Sequence, residues 1–392
     1  MSDPSRPVNI VFVGAGAVGC FYASRLHHPD HNVNVSLTAR SNYAVLARSG
    51  VKMLTHSFGD YTFVPAAVYP SVTAASTKSP SPAASTASPP PAEGWDYVIV
   101  TTKALPDRVD DAATIAPLVT EGKTCIVLIQ NGVGVEDPYR VRFPSNPIIS
   151  AVTVVSAALV DPGTVRQHRW TRLYLGPYVN SAASSSSSSS SGGGEPAAAA
   201  KLDAASLESR GSACVRELAD WWTRLGRIRD VESFAGDETG LQVVRWHKLV
   251  INAAFNPSAV LSGGRGNADS ALDPELRRHL RGVMDEIFAA APAVLGRPFP
   301  PELATPDKIL TSNERNKGSK PSMLLDWEAG RPLELEVIVG NPVRIARAKG
   351  IEMPRLQSVY ALLRSMQELR DQEREREAQK KKVNGGLWAG KL

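Results

Sequence analysis

The stretch Val8-Asn9-Ile10-Val11-Phe12-Val13-Gly14-Ala15-Gly16-Ala17-Val18-Gly19-Cys20-Phe21-Tyr22 decides how the first half of this 392-residue chain is read. A short continuous apolar run leads straight into a GxGxxG turn and then into a segment of helical pattern, Gly16 to Leu26. Gly14 suits the tight turn, Gly16 lets a backbone approach a pyrophosphate, and Gly19 lets the helix pack close to its strand. The first helical turn, through Ala15, Ala17 and Val18, offers unpaired N–H groups and the positive end of the helix dipole to an anion. A strand–turn–helix context turns a weak motif into a dinucleotide-binding candidate.

Working outward, Val33 to Thr38, Tyr97 to Thr101 and Thr124 to Ile129 are further apolar runs without alternation. Such strands are buried on both faces, which predicts a parallel sheet covered by helices. Ile148 to Ala158, Gly163 to His168 and Arg172 to Leu175 extend the sheet, and Ala205 to Leu225 reads as one more covering helix. From about Asp237 the pattern is helical: Glu238 to Ala259, Pro274 to Leu295, Ser322 to Glu328, Leu333 to Lys349 and Leu356 to Glu368. The predicted architecture is an α/β domain over residues 7–236 followed by an all-helical domain over 237–370. A charged tail, 371–392, continues a helix and frays through Asn384, Gly385 and Gly386.

Two segments fall outside both patterns. In residues 71–93, 20 of 23 are Ser, Thr, Ala or Pro, and residues 181–200 hold eight consecutive serines. Neither buries enough apolar area to offset its ordering entropy, so both read as disordered inserts.

Composition narrows the function. The chain is 43% hydrophobic and 21% charged with a net charge of +5, an ordinary globular balance. Basic residues form no stripe interleaved with aromatics, which argues against nucleic acid as a partner. No run approaches 18 apolar residues and no secretory signal opens the chain, so no membrane partner is expected. Cys20, Cys125 and Cys214 are far apart in sequence with no CxxC spacing, which predicts free thiols in a reducing compartment and no metal site. The cytoplasm is the expected location, with mitochondrion or peroxisome left open; the terminal Gly390-Lys391-Leu392 distantly resembles a peroxisomal address with glycine in place of serine.

The second strand ends Leu37-Thr38-Ala39-Arg40-Ser41, with no acid between His31 and Gly59. An acid there would read a ribose 2′-hydroxyl; the planar fork of Arg40 suits a 2′-phosphate, so the predicted cofactor is NADPH. Two later strands end in Thr102-Lys103-Ala104 and Gln130-Asn131-Gly132, placing Lys103 and Asn131 at the carboxyl edge where such sheets bind ligands. In the helical half, Lys248, Asn252 and Asn256 recur every four residues. Successive members drift only about 40° around the axis, so they line one stripe of an otherwise apolar helix. A polar stripe of that kind needs partners or a ligand, and a partly desolvated lysine can serve as a general acid.

Taken in order, GAGAVG, TAR, VTTKA, QNGVG, KLVINAAFNPSAVL, PSMLLDWEAGRPLELE and GIEMP resemble the ketopantoate reductase family over most of residues 8–370. The resemblance implies a Rossmann-type domain followed by a helical domain of the 6-phosphogluconate dehydrogenase C-terminal type. It implies NADPH-dependent reduction of 2-dehydropantoate, a small-molecule substrate, to pantoate on the route to coenzyme A. The alternatives are a reductase of another branched 2-oxo acid and a non-catalytic NADPH-binding sensor; a homodimer is the assembly the analogy suggests. By position, Lys248 matches the catalytic lysine and Glu334 the glutamate that holds the substrate hydroxyl or that lysine. Asn252, Asn256 and Asn267 match substrate asparagines, and Ser322 matches the serine that holds the carboxylate. The chain departs from the family in Gly266-Asn267-Ala268 and in Glu334-Leu335-Glu336-Val337-Ile338-Val339-Gly340, which lacks the usual asparagine before the glycine.

Overall fold

In the computed structural model, which describes residues 6–76, 88–179 and 195–389 (backbone alone for 195–202 and 381–389), the chain divides into two compact units, Met1–Arg245 and Trp246–Leu392. The division falls inside one continuous helix, Glu238–Leu261, rather than ahead of it near residue 236.

Among its described residues the first unit has ten strands: β1 (Val8–Val13), β2 (Val33–Thr38), β3 (Val51–Thr55), β4 (Tyr61–Phe63), β5 (Val68–Tyr69), β6 (Tyr97–Val100), β7 (Cys125–Leu128), β8 (Ile148–Asp161), β9 (Thr164–Pro177) and β10 (Val231–Ser233). Their order is β4-β3-β9-β8-β7-β6-β1-β2-β5, with β10 also paired to β9. The central strands β8, β7, β6, β1 and β2 run parallel, while β9 turns back antiparallel to β8. The continuous apolar strands are buried on both faces, as their composition requires. Ile10 and Phe12 join Leu37, Ile99, Val127 and Trp222 in one core, while Val11, Val13, Val98, Val100, Ile126 and Leu128 build the other. Each fully buried side chain of this kind contributes about 1.5–3 kcal/mol.

Several expectations change. Gly163 to His168 and Arg172 to Leu175 are one strand, interrupted by a bulge at Trp170. The short strands β3, β4, β5 and β10 carry too little apolar periodicity to be legible alone. The flank of the first expected insert is ordered: Ser71 Oγ accepts the Ala74 N–H at 3.1 Å, Trp95 Nε1 donates to the Ala75 carbonyl at 2.9 Å, and both alanines are buried. Small side chains suffice there because the tryptophan supplies the apolar area. The remainder of that insert, residues 77–87, and residues 181–194 of the second lie outside the described residues. The covering helix runs Glu195–Asp220 and ends in a π turn, Trp221–Leu225. Cys125 and Cys214, remote in sequence, are neighbours in the fold, and both are free thiols.

The second unit is helical. Asp273 caps the helix Pro274–Leu295 by accepting from the Glu275 and Leu276 N–H groups at 3.1 and 3.0 Å, and Gly296 ends it at φ +67°. Asn267–Leu272 and Pro306–Asn313 are helices too short to show a period in sequence. The expected helix over 333–349 is a π turn, Glu336–Gly340, followed by an α-helix, Asn341–Ala348. The last helix, Pro354–Ala389, does not stop at Gly385. Among the described residues no helix is long and apolar enough to cross a membrane, and no group of three His, Cys, Asp or Glu could hold a metal ion.

Candidate active site

In the first unit the loops following β7, β6, β1 and β2 leave the carboxyl edge of four adjacent parallel strands. At about 4.8 Å per strand they span roughly 14 Å. β1 ends in Gly14, whose φ of +113° is open to glycine, and the helix Ala17–Ser24 begins at Gly16 with no side chain capping its first turn. The unclaimed N–H groups of that turn therefore face outward. A Cβ on Gly19 would overlap the Gly14 carbonyl oxygen and stand 2.5 Å from Thr101 Oγ1, so this glycine is a packing requirement. A Cβ on Gly16 would meet nothing within 4 Å, so its bareness serves the space above the turn. Thr101 Oγ1 donates to the Gly14 carbonyl at 2.6 Å, and Asn42 Nδ2 donates to the Ala15 carbonyl at 2.9 Å. Both fix the turn.

The edge carries the marks of an anionic, polar ligand. Arg40 is exposed at the end of β2, and no ion-pair partner is found for it among the described residues. Thr102 Oγ1, one residue beyond the Gly14 contact, is buried with no hydrogen-bond partner. A buried hydroxyl without a partner costs on the order of 1–3 kcal/mol, which a ligand atom would offset. Lys103 is exposed and Asn131 half-buried on the neighbouring loops. The residues present fit a dinucleotide.

Behind Asn131 lies a network that sequence reasoning missed. Arg245 is 3% exposed and Glu136 1%. Arg245 Nε stands 3.0 Å from Glu136 Oε1. Its Nη1 donates to the Gln130 and Gly132 carbonyls at 2.9 and 3.0 Å, and its Nη2 donates to Ser150 Oγ and the Ala151 carbonyl at 2.6 and 3.1 Å. Ser150 Oγ and Gln242 Nε2 in turn donate to Glu136 Oε1 at 2.5 and 3.1 Å. One guanidinium thus holds the carbonyls on either side of Asn131. The available signal was Arg245 at four-residue spacing between Leu241 and Leu249, a charge on an apolar stripe that demands a buried partner.

In the second unit Lys248, Asn252 and Asn256 share a stripe of the Glu238–Leu261 helix, where Lys248 and Asn252 are half-buried and Asn256 is buried. Asn256 Oδ1 accepts the Met323 N–H at 3.4 Å, tying the turn that bears Ser322 to the stripe. Ser322 is the first residue of its helix and is exposed; Pro321 occupies the capping position and no side chain caps the helix, so the serine hydroxyl is not used as a cap. Glu334 is 6% exposed. Its neighbour Leu333 donates its N–H to Gln367 Oε1 at 2.9 Å, and a π turn follows, a distortion common at functional sites. Glu336 is committed elsewhere, accepting from Tyr360 Oη at 2.6 Å and Arg344 Nη2 at 2.5 Å. Asn267 makes none of these contacts, and its Oδ1 is buried with no hydrogen-bond partner among the described residues. Its Nδ2 donates to Asn313 Oδ1 at 3.3 Å, and Asn316 Nδ2 donates to the same oxygen at 3.1 Å.

His247, adjacent to the lysine, is structural. Its Nε2 stands 2.8 Å from the Ala304 carbonyl, and burial pushes its pKa below the usual imidazole value.

Comparison with known proteins covers both units. Residues 10–180 match the family model described as ketopantoate reductase PanE/ApbA, and residues 241–367 match the model of its C-terminal domain. An uncharacterised protein of Saccharomyces cerevisiae is 28% identical, over 90% of this chain and 92% of its own. A 2-dehydropantoate 2-reductase of a Nostoc species is 23% identical, over 90% and 93%. The crystal structure of 2-dehydropantoate 2-reductase from Methylococcus capsulatus superposes with a TM-score of 0.69 at 30% identity, covering 93% of this chain and 98% of that one.

Proposed function

Since the chain belongs to the ketopantoate reductase family of oxidoreductases, we propose that it reduces 2-dehydropantoate to pantoate with NADPH. The observation that carries this reading is the stripe of Lys248, Asn252 and Asn256 with the Ser322 turn bonded to it through Asn256 and Met323.

Each residue has a task in that chemistry. The amides of the Gly14–Gly19 turn receive the pyrophosphate, Arg40 pairs with the 2′-phosphate, Thr102 Oγ1 gains a partner, and Lys103 and Asn131 meet the cofactor at the ends of β6 and β7. Bound NADPH supplies the hydride that reduces C2 of the oxo acid. As that carbon is reduced its oxygen gains charge, and Lys248, as an ammonium, stabilises the oxygen and gives it a proton. Ser322 donates to the substrate carboxylate, Asn252 and Asn256 offer amide groups to the substrate, and Glu334 holds the substrate hydroxyl or orients Lys248.

The test is NADPH oxidation followed at 340 nm with 2-dehydropantoate and with a panel of other branched 2-oxo acids, for the wild type and Lys248→Ala. Loss of a general acid lowers kcat by on the order of 10²–10⁴-fold. A Lys248→Ala protein that keeps wild-type turnover refutes the mechanism. Turnover confined to another oxo acid would move the substrate and keep the roles.

A further inference from the structure

The outer edge of β9 is broken. β3 pairs with it over Thr164–Gln167 and β10 over Leu173–Leu175, so residues 168–172 meet neither strand. At this gap a groove of about 1160 Å3 opens in the first unit, walled by the loop after β3, the residues following the Ala17–Ser24 helix and the corner that leads into β10. Arg25 lies at the end of that helix farthest from the glycine turn, about 12 Å along its axis. Pockets for drug-sized ligands measure roughly 300–1000 Å3, so the groove has room for a mononucleotide.

Backbone conformation marks the groove. Trp170 is the extra residue of the β8–β9 bulge, where Thr171 and Arg169 oppose Val155 and Ser156. It sits at φ +54°, and its side chain is 54% exposed. Arg227, just after Gly226, sits at φ +58°. Both are left-handed positions that glycine adopts without strain, and a bulky residue there is unusual. Among the described residues three non-glycines have positive φ; the third, Asn32, caps the short turn Pro29–His31 in a conformation asparagine tolerates and does not line the groove. Arg227 ends the π turn Trp221–Leu225, with the Ile228 N–H donating to the Trp222 carbonyl, so its conformation is that of a helix end; Trp170, a bulky exposed residue at a bulge, is the strained one and points to a function in the groove.

Charge defines what the groove would take. Arg25, Arg224, Arg227 and Arg229 line it against the single acid Asp230. Arg25 is held in place, its guanidinium 4.2 Å from the Phe58 ring centroid and its Nε donating to the Gly226 carbonyl at 2.8 Å. Arg224 is paired with Asp220 at 2.9 Å. Arg227 and Arg229 are exposed, with no ion pair among the described residues. Forked cations beside a projecting indole suit phosphate and a stacking planar ring together.

We propose that this groove is a second nucleotide site, in which Arg227 and Arg229 take the phosphates and Trp170 stacks on the base. It is separate from the dinucleotide turn and independent of the reaction assigned above.

Calorimetric titration of ATP into the full-length protein, with NADP+ saturating the glycine turn, tests this. The expected result is saturable binding that falls at least tenfold in both Trp170→Gly and Arg227→Gly. Because glycine relieves the left-handed backbone at each position, both variants are expected to keep or raise the melting temperature and to bind NADPH as the wild type does. Absence of binding at millimolar ATP, or unchanged affinity in both variants, overturns the proposal. Inorganic tripolyphosphate binding as tightly as ATP would overturn the role of the base, and tighter binding of a thymidine dodecamer would overturn a free nucleotide in favour of a strand.

Discussion

Replacing Arg245 with methionine tests whether the QNG turn is held by a buried charge. The guanidinium makes bonds to Gln130, Gly132, Ser150 and Ala151 and an ion pair with Glu136 at 3.0 Å, all at 3% exposure. Methionine fills much of the volume but leaves the Glu136 carboxylate buried with only Ser150 and Gln242 as donors. Stranding one member of a buried pair costs about 3–5 kcal/mol, against a total of about 5–15 kcal/mol for a domain. Guanidinium unfolding followed by tryptophan fluorescence would read that loss in the transition of the first unit. Adding Glu136→Gln should recover part of it, since the uncompensated charge is then gone. The turn bearing Asn131 loses two anchors at the same time, so the KM for NADPH should rise by more than the change in kcat. An Arg245→Met protein within about 1 kcal/mol of wild type, with the double variant no more stable than the single, would refute the reasoning.

Further consequences can be checked separately. Gly16→Ala should fold with an unchanged melting temperature and bind NADPH weakly, because its Cβ meets only the ligand's space, whereas Gly19→Ala should lose stability by about 1–3 kcal/mol because its Cβ meets the Gly14 carbonyl; equal melting temperatures would contradict the packing role. Arg40→Ala should weaken NADPH by roughly 10- to 150-fold, the worth of a charge-assisted hydrogen bond of about 1.5–3 kcal/mol, and leave NADH unchanged; an equal loss for both cofactors would remove the 2′-phosphate role. Burial holds the pKa values of His27, His28, His247 and His279 below 6.5. The unfolded chain therefore binds more protons than the folded one below that pH, so the denaturation midpoint should fall as pH drops from 7.5 to 5.5. Asp137 and Glu217, raised by burial from 3.8 and 4.5, act in the opposite sense, so the imidazole share is read as the part of the pH dependence lost in His247→Gln and His279→Gln; an unchanged pH dependence in those variants would count against the imidazole assignment.

What the sequence disclosed depended on how local each signal is. The GxGxxG turn, the central strands and the helix Pro274–Leu295 are written in contiguous periodicity and caps, and those elements appear as read. β3, β4, β5 and β10 are two to five residues long; β3 and β4 pair as a local hairpin, but β3 joins the sheet through β9, and β10 pairs with β9 58 positions back, so little of this is legible locally. In the site, Gly19 explains itself because its constraint is the next turn of backbone. Arg245 does not, because its partners Glu136 and Ser150 lie 109 and 95 positions earlier. Asn267 has the right residue type in the right region, and only half of its amide is committed: Nδ2 donates to Asn313 Oδ1, 46 positions on, while Oδ1 is buried with no partner among the described residues. Ala74 and Ala75 read as part of a featureless stretch because the tryptophan that orders them stands twenty residues downstream.

The strand order also sets a timetable for the chain's birth. Lys52 of β3 finds its neighbour Thr164 of β9 only after 112 further residues have been made. At about 5–20 residues per second the ribosome takes roughly 6–22 s over that interval. Until then the β3–β4 hairpin has no strand to complete it, and the core that Val51, Met53 and Phe63 share with Val165 and Leu173 is unfinished. The Ser/Thr/Ala/Pro-rich stretch 71–93 falls within this wait. Lengthening an already long loop adds only about 0.6 kcal/mol per doubling, so growth of the chain there burdens the closure little. A nascent chain stalled short of residue 164 is the form in which this protein would most need a chaperone.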